Sequence, residues 1–263
     1  MCTIMNIFKQ FAKSLYSPKT ISMFRFQGIG KTILYVFLLT LLATLPMAIY
    51  MSTGLSGLLK GFDSTLQEDL PDFKIEDGTL ISETKEPLEF KKDELFIVFD
   101  PTGSFTANEM ENKQNGIGFL KNEFVYTVAG QAQSIDYSML NADMTKDDLS
   151  QYSSQFESVL PIVLSVVIFI LFIFTSASKF IEITFLAFVS ILFRNSLKRK
   201  VNFKQLWVMA AYAITLATFF FIIMEFLQVT VPSGIFINWF VNLIIMYLAL
   251  KEIPASKQPV ERN

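Results

Sequence analysis

Three ionisable side chains stand within long apolar stretches of the sequence, and their chemistry decides what those stretches can do. Lys179 and Glu182 are three positions apart, so on one helix they can form an ion pair. Glu225 stands near the far end of a later apolar stretch, where it can reach water. Ionisable groups are costly in lipid and often mark ion or substrate pathways. Two interpretations follow: a transport or proton-relay site, and paired or interfacial groups with a structural role.

Two amides on the last apolar stretch complete this set. Asn238 and Asn242 are four positions apart, so they share one helix face and predict hydrogen bonds between helices. The candidate functional polar residues in the membrane are therefore Lys179, Glu182, Glu225, Asn238 and Asn242.

Composition excludes most familiar catalytic and metal-binding chemistry. The sequence has no His and one Cys, Cys2, which removes Ser-His-Asp triads, Cys-His dyads, His-ligated metals and disulfides within the chain. Asp143, Asp147 and Asp148 come nearest to an acidic cluster, but they lack the Gly and the final Glu of a calcium loop. The sequence therefore predicts a protein that is not an enzyme, with no catalytic, cofactor-binding or metal-binding residues.

The elements that carry the five polar residues are predicted to be membrane helices. Hydrophobic residues make up 52% of the chain and charged residues 17%, against roughly 25% charged in an ordinary soluble domain. Four stretches have no charge: Ile33–Met51, Ser158–Ser178, Leu206–Met224 and Ile235–Leu250. Because a bilayer core needs about 20 apolar residues in a helix, the sequence predicts an integral membrane protein.

The distribution of Lys and Arg predicts the orientation. Residues 1–31 carry five basic and no acidic side chains, and residues 194–204 also carry five basic ones. Residues 52–157 carry 8 Lys against 20 Asp and Glu, a net charge of −12. Short basic flanks stay in the cytoplasm. We therefore expect a multi-pass membrane protein with a cytoplasmic N-terminus and the acidic segment outside.

One apolar segment, residues 158–193, is too long for a simple span. As one helix it would run about 54 Å, against a hydrocarbon core of about 30 Å. Two crossings would move the basic cluster 194–204 outside, whereas one crossing followed by a bent or interfacial extension keeps it inside. The second alternative is favoured, and it places Lys179 and Glu182 near the inner interface.

The predicted fold class is an α-helical polytopic membrane protein with about four transmembrane helices and one small extracytoplasmic β-rich α+β domain between the first two. Its predicted divisions begin with a cytoplasmic amphipathic helix and basic flank (1–31), the first span (32–51), the acidic domain (52–157) and the second span with its extension (158–193). They continue with a basic loop (194–204), the third span (205–227), the fourth span (234–251) and a cytoplasmic tail (252–263).

Local patterns predict further elements. Residues 4–16 place apolar side chains at helical spacing, with Asn6, Lys9, Gln10 and Lys13 opposite, so they predict an amphipathic helix. It would lie on the inner membrane surface or pack on the protein's own cytoplasmic loops.

In the acidic segment, Asp77-Gly78 predicts a hairpin turn between strands 73–76 and 79–82. Further strands are predicted at 95–99 and 117–120, and around residues 124–128 and 134–137.

Several stretches resemble a Gram-positive family of membrane proteins of unknown function, often labelled maltodextrin utilization proteins. The resemblance rests on Ser14–Thr20, Ile29–Tyr35, Phe203–Trp207, Ala211–Leu216 and Pro232–Trp239. The basic loop followed by Phe-Lys-Gln and an Ala-Tyr helix is also distantly similar to Yip-type membrane proteins, whose roles concern trafficking. The first resemblance implies a Gram-positive cell membrane and an association with maltodextrin uptake, and it implies no catalytic residues.

The leading functional hypothesis is a non-enzymatic accessory or scaffold of a membrane complex, such as a maltodextrin transporter. One alternative is a small secondary transporter or channel that uses Glu225 and acts as an oligomer. Another is a sensor whose outer domain binds a ligand. The expected partners are the lipid bilayer and a membrane protein complex, not nucleic acid, and the oligomeric state is left open.

Overall fold

A computed structural model describes residues 5–92, 95–110, 113, 115–128, 130–140 and 143–255 of the chain. The predictions for Cys2, Ile4 and the tail after Ala255 lie outside these residues. The chain divides into two compact units. One, the helical unit, comprises Met1–Ile49 and Val166–Asn263, and the other, the β domain, comprises Tyr50–Ser165.

The described residues form eight α-helices. In chain order α1 to α8 they are Ile7–Ser14, Pro18–Phe24, Ile29–Ser64, Ala107–Met110, Lys146–Ser196, Phe203–Ala213, Thr215–Phe226 and Gly234–Lys251. A π-helical turn, Thr65–Asp69, continues α3.

Four helical segments of the described chain are long and apolar enough to cross a membrane. They are Ile29–Asp69, Lys146–Ser196, Phe203–Phe226 and Gly234–Lys251, so α6 and α7 together make one of them. Their number agrees with the four apolar stretches of the sequence, because each stretch lies within one of these helices.

The α5 helix is longer than the predicted segment 158–193. It contains 51 residues and continues 14 residues past Glu182 to Ser196. In this last part Ile183, Leu186 and Ala187 are fully buried in the core of the helical unit. Their spacing of three and four residues keeps one face of α5 against the other helices, so the segment packs in the bundle.

The two short N-terminal helices pack against α6, α7 and α8. Asn6 caps α1, and Pro18 is the first residue of α2 behind the cap Ser17. The polar face predicted for α1 differs from the observed one, because Gln10 is buried whereas the side chain of Phe8 is 68% exposed. Gln10 is buried, although its polarity predicts exposure, because it has hydrogen-bond partners inside the unit, which are described below.

The core of the helical unit is built around Tyr212. Its ring centroid lies 4.2 Å from that of Tyr35 on α3 and 4.3 Å from that of Phe24 on α2. Ala210, Ala211 and Ala213 beside it are fully buried. Small side chains let helices approach closely, and this run brings α2, α3 and α6 together at one level.

The β domain contains two sheets. The smaller has the order β2-β1-β8, and the larger has the order β3-β4-β5-β6-β7. The strands β1 to β8 are Phe73–Glu76, Thr79–Ser82, Leu88–Lys92, Leu95–Asp100, Asn115–Leu120, Glu123–Val128, Gln131–Asp136 and Met144–Thr145.

The predicted hairpin at Asp77-Gly78 is confirmed. Strands β1 and β2 pair antiparallel with the bounds that the sequence indicates, and both turn residues have positive φ, 49° and 74°. The predicted strands near 95, 117, 124 and 134 correspond to β4, β5, β6 and β7. Local alternation and turn residues suffice for these elements.

The larger sheet combines parallel and antiparallel pairs. β4 and β5 run parallel and are joined through α4, while the other neighbours are antiparallel. Phe73 of the smaller sheet packs on Phe99 and Phe119 of the larger, with ring centroids 5.4 and 5.7 Å away. These rings belong to a buried cluster that gives the β domain a core of its own.

Candidate functional site

A cavity of about 800 Å³ lies within the helical unit, between α3, α5, α7 and α8. Its walls carry apolar side chains from all four helices. Its polar lining is drawn from Thr44, Thr175, Ser178, Lys179, Glu182, Thr218, Glu225 and Asn238. The volume falls in the range of about 300–1,000 Å³ that small-molecule sites occupy.

The predicted ion pair forms at the wall of this cavity. Lys179 Nζ lies 2.9 Å from Glu182 Oε2, and the two side chains are only 17% and 12% exposed. Lys179 also donates to Thr218 Oγ1 on α7, at 3.1 Å. The pair thus ties α5 to α7 as well as neutralising its own charges.

Both predicted asparagines join the same pair. Asn238 and Asn242 of α8 donate their amide groups to Glu182 Oε1, at 2.6 and 2.8 Å. Glu182 therefore accepts from three donors on two helices. We call Lys179, Glu182, Thr218, Asn238 and Asn242 the polar network.

The charges of the polar network are paired and hydrogen-bonded, and Asn242 Oδ1 is its one buried acceptor without a partner among the described residues. A buried charge that loses its partner costs several kcal/mol, whereas a pair with additional hydrogen bonds is tolerated. The placement of Lys179 and Glu182 near the inner interface stays a prediction. The network joins α5 to Thr218 within α7 and to Asn238 one turn into α8, on the side of the loop 227–233. The sequence could not show this, because the position depends on how three helices align.

Glu225 lies on the same wall but outside the network. Its side chain is exposed, and it forms no ion pair with any part of the chain that the structure describes. It also lines a neighbouring cavity of about 390 Å³ together with Gln228 and Thr230. Within the part of the chain that the structure describes, Glu225 is the one carboxylate lining either cavity that has no ion-pair partner.

Aromatic residues shape the apolar part of the cavity. Trp239 lines it and packs edge-on against Phe185, with ring centroids 5.1 Å apart. Gly234 begins α8 beside Phe221, and a Cβ at this glycine would lie 3.0 Å from the Phe221 ring. The absence of a side chain there lets α8 approach α7 closely at the cavity wall.

A second buried polar cluster lies elsewhere in the helical unit. Tyr212 Oη donates to Gln10 Oε1 at 2.8 Å, and Gln27 Nε2 donates to Tyr212 Oη and to Gln10 Oε1. Tyr35 Oη and Thr215 Oγ1 lie 2.6 Å apart. This cluster connects α1 and the segment before α3 to α6. The only sequence signal for it is that Gln10 and Gln27 stand near apolar residues.

Two acids of the predicted acidic cluster in the β domain accept hydrogen bonds from nearby backbone or hydroxyl groups. Asp148 accepts from the hydroxyl and the backbone N–H of Thr145, and these two bonds lower the pKa of its carboxyl. Asp143 accepts from the backbone N–H of Asp77. Among the described residues there is no group of three or more His, Cys, Asp or Glu that could hold a metal ion.

The site therefore contains all five residues that the sequence singled out, four of them in the polar network and Glu225 beside it. The sequence analysis does not predict Thr218 or Trp239 as site residues, because nothing in their local spacing distinguishes them from other residues of a long apolar helix.

Comparison with known proteins gave one result. Neither the curated proteins nor the solved structures yielded a significant match to this chain. A family model described as "Protein of unknown function (DUF1189)" matches residues 8–250, which is most of the chain. The chain therefore belongs to the DUF1189 family.

Proposed function

We propose that this chain is a non-enzymatic integral membrane protein that binds a small solute in the cavity between α3, α5, α7 and α8. The protein would cross a bacterial cell membrane four times, with its N-terminus in the cytoplasm. Binding of this kind serves a small secondary transporter or channel, the alternative that the sequence offered beside an accessory role.

The surface of the helical unit supports the membrane location. Large apolar side chains are exposed along its long helices, among them Leu34, Phe169, Phe174, Ile181, Leu192, Ile235, Phe236 and Phe240. Soluble proteins rarely expose contiguous apolar surface of this extent. A lipid bilayer covers such a surface without cost, and the basic segments 1–31 and 194–204 would then face the cytoplasm.

The cavity is the observation that carries the binding function. Helices that pack closely along their whole length fill the space between them with side chains, because gaps forfeit packing contacts. Here a space of about 800 Å³ stays open between four helices and has charged side chains on its wall. Transporters commonly place their substrate sites between helices near the middle of the bilayer. Four helices are few for a carrier, so transport would require more than one copy.

A cavity-filling substitution tests this proposal. Ser178 lines the cavity, whereas its neighbour Ala177 is exposed and does not. In lipid nanodiscs, a panel of small cations, anions and neutral sugars is screened for a rise in melting temperature. We expect at least one class to stabilise the wild type and Ala177→Phe but not Ser178→Phe. No stabilisation of the wild type by any class would contradict the proposal.

A second candidate function is the accessory role in a membrane complex. The observation that favours it is the β domain, a unit of 116 residues (Tyr50–Ser165) with its own aromatic core, which is far more than a connection between two spans requires. The partner suggested by the family resemblance is a maltodextrin transporter. Crosslinked co-purification from native membranes tests this role, and recovery of the protein alone would count against it.

A further inference from the structure

The charges around the cavity do not balance. Its wall carries Lys179, Glu182 and Glu225, and one positive against two negative side chains leaves a net charge of −1 when all three are ionised. Lys179 and Glu182 compensate each other at 2.9 Å. The excess negative charge therefore belongs to Glu225. This charge has no ion-pair partner among the described residues and stands on a wall that is otherwise mostly apolar, so it attracts a cation.

The polar network leaves little for a ligand to bind. Glu182 already accepts from Lys179 with one oxygen and from two amides with the other. Lys179 divides its donors between Glu182 and Thr218. An anionic ligand would have to displace Glu182 to reach Lys179, and it would meet Glu225 as a like charge. The arrangement therefore disfavours an anion.

The remaining lining suits an organic group better than a bare metal ion. Metal cations such as Ca²⁺ take six or more oxygen ligands, and the described residues offer no group of three or more potential metal-binding side chains. Phe221, Ile222, Ile235 and Trp239 present carbon surface instead. The indole of Trp239 adds a face that attracts cations.

We propose that the cavity selects a small organic cation, such as a protonated or quaternary amine. Its positive group pairs with Glu225, and its carbon skeleton lies against the apolar walls and Trp239. This inference rests on the proposed solute-binding function and adds the charge class of the solute, to which Glu225 is the specificity-determining residue.

The test uses ethidium, a fluorescent organic cation, and fluorescein, an anion of similar ring size. The full chain is placed in nanodiscs of zwitterionic phosphatidylcholine, and fluorescence anisotropy is corrected with empty nanodiscs. Glu225→Gln removes the charge at constant size, and Glu252→Gln, at the exposed C-terminal end of α8, is the matched control. Glu225→Asp retains the carboxylate and guards against loss of binding through misfolding.

We expect the Kd for ethidium to rise at least tenfold in Glu225→Gln and to change less than threefold in Glu252→Gln and Glu225→Asp. The binding of fluorescein should be the same in the wild type and in Ser178→Phe. Equal ethidium affinity in Glu225→Gln and wild type would overturn the cation proposal, as would tighter Ser178-dependent binding of fluorescein. Solute binding itself would survive either result, because Ser178→Phe still reports it. If Ser178→Phe leaves the binding of both probes unchanged, both the cation proposal and the proposal that the cavity binds a solute are contradicted.

Discussion

The buried polar networks of the helical unit and the carboxylates in the turns of the β domain find their hydrogen-bond partners at different distances along the chain. In the helical unit the partners are far apart in sequence: Glu182 accepts from Asn238 across 56 positions, and Tyr35 meets Thr215 across 180. In the β domain Asp100, Asp136 and Asp148 accept from backbone or hydroxyl groups within five positions. A surface that water can reach allows local turns. Inside the bundle, hydroxyls such as those of Ser14 and Thr40 bond to the preceding turn of their own helix, whereas the Glu182 carboxylate accepts from amides of another helix.

The strongest way to break this comparison is to remove the acceptor of the polar network. Glu182→Ala leaves Lys179 charged without its partner and strands the two amide donors. We expect the free energy of unfolding to fall by about 3–5 kcal/mol, since an uncompensated buried charge costs that much. The measurement is SDS-induced unfolding in mixed micelles.

The double substitution Lys179→Met with Glu182→Gln is the control for that prediction. It removes both charges and keeps an acceptor for Asn238 and Asn242, so it should recover at least half of the lost stability. If Glu182→Ala alone unfolds like the wild type, the polar network does not hold the bundle together.

The matching change in the β domain is Asp100→Asn. The buried Asp100 carboxylate accepts from the backbone N–H groups of Thr102, Gly103 and Phe105 and from the Thr102 hydroxyl. An amide nitrogen replaces one of these acceptors, so we expect a loss of about 2 kcal/mol. Hydrogen exchange should rise in β4 and β5 and stay unchanged in α6 to α8.

The same carboxylate predicts a pH dependence. Burial raises the pKa of Asp100, but its hydrogen bonds from Thr102, Phe105 and Gly103 outweigh burial, so the pKa in the folded protein is lowered. The unfolded chain then binds a proton more readily, and the stabilisation is present above the unfolded pKa of about 3.9 and is lost as the pH falls through the folded value. The protection factors of the β4 amides, which are corrected for the intrinsic pH dependence of exchange, should fall with acid in the wild type and change less in Asp100→Asn.

The smallest expected effect comes from the second buried cluster. Tyr212→Phe removes the hydroxyl that joins Gln10 and Gln27 but keeps the ring packing with Tyr35 and Phe24. We expect a cost of about 1 kcal/mol, the contribution of an ordinary hydrogen bond, with faster hydrogen exchange in α1 and α2. Tyr16→Phe, at an exposed position, is the control. Equal exchange in both variants would mean that the α1 anchor is apolar.

The same contrast explains what the sequence could predict. The hairpin around Asp77-Gly78 and the Lys179–Glu182 pair depend on residues at most a few positions apart, so local rules locate both. The meeting of Glu182 with Asn238 and Asn242 depends on the alignment of α5 with α8, which no spacing within either helix encodes. The cavity has the same origin, because it is a space between helices and not a property of one.

The difference in α1 comes from the assumption that a polar residue faces water. Gln10 is predicted on the polar face of α1, but it is buried and bonded to Tyr212 within the bundle. Polarity alone cannot distinguish a solvated side chain from one that is buried and satisfied, because the partners come from distant parts of the chain.

The spacing of Lys179 and Glu182 also bears on how the chain is made. During synthesis α5 emerges from the ribosome before α8, so at that stage Glu182 has no amide donors. In a membrane-inserted chain, its neighbour Lys179, one turn earlier on the same helix, would already pair with it, which would lower the cost of passing α5 into lipid. The last helix would then bring Asn238 and Asn242, which complete the hydrogen bonds to Glu182. The chain order of α5 and α8 would thus make the helix tolerable to the bilayer first and fix it in place later.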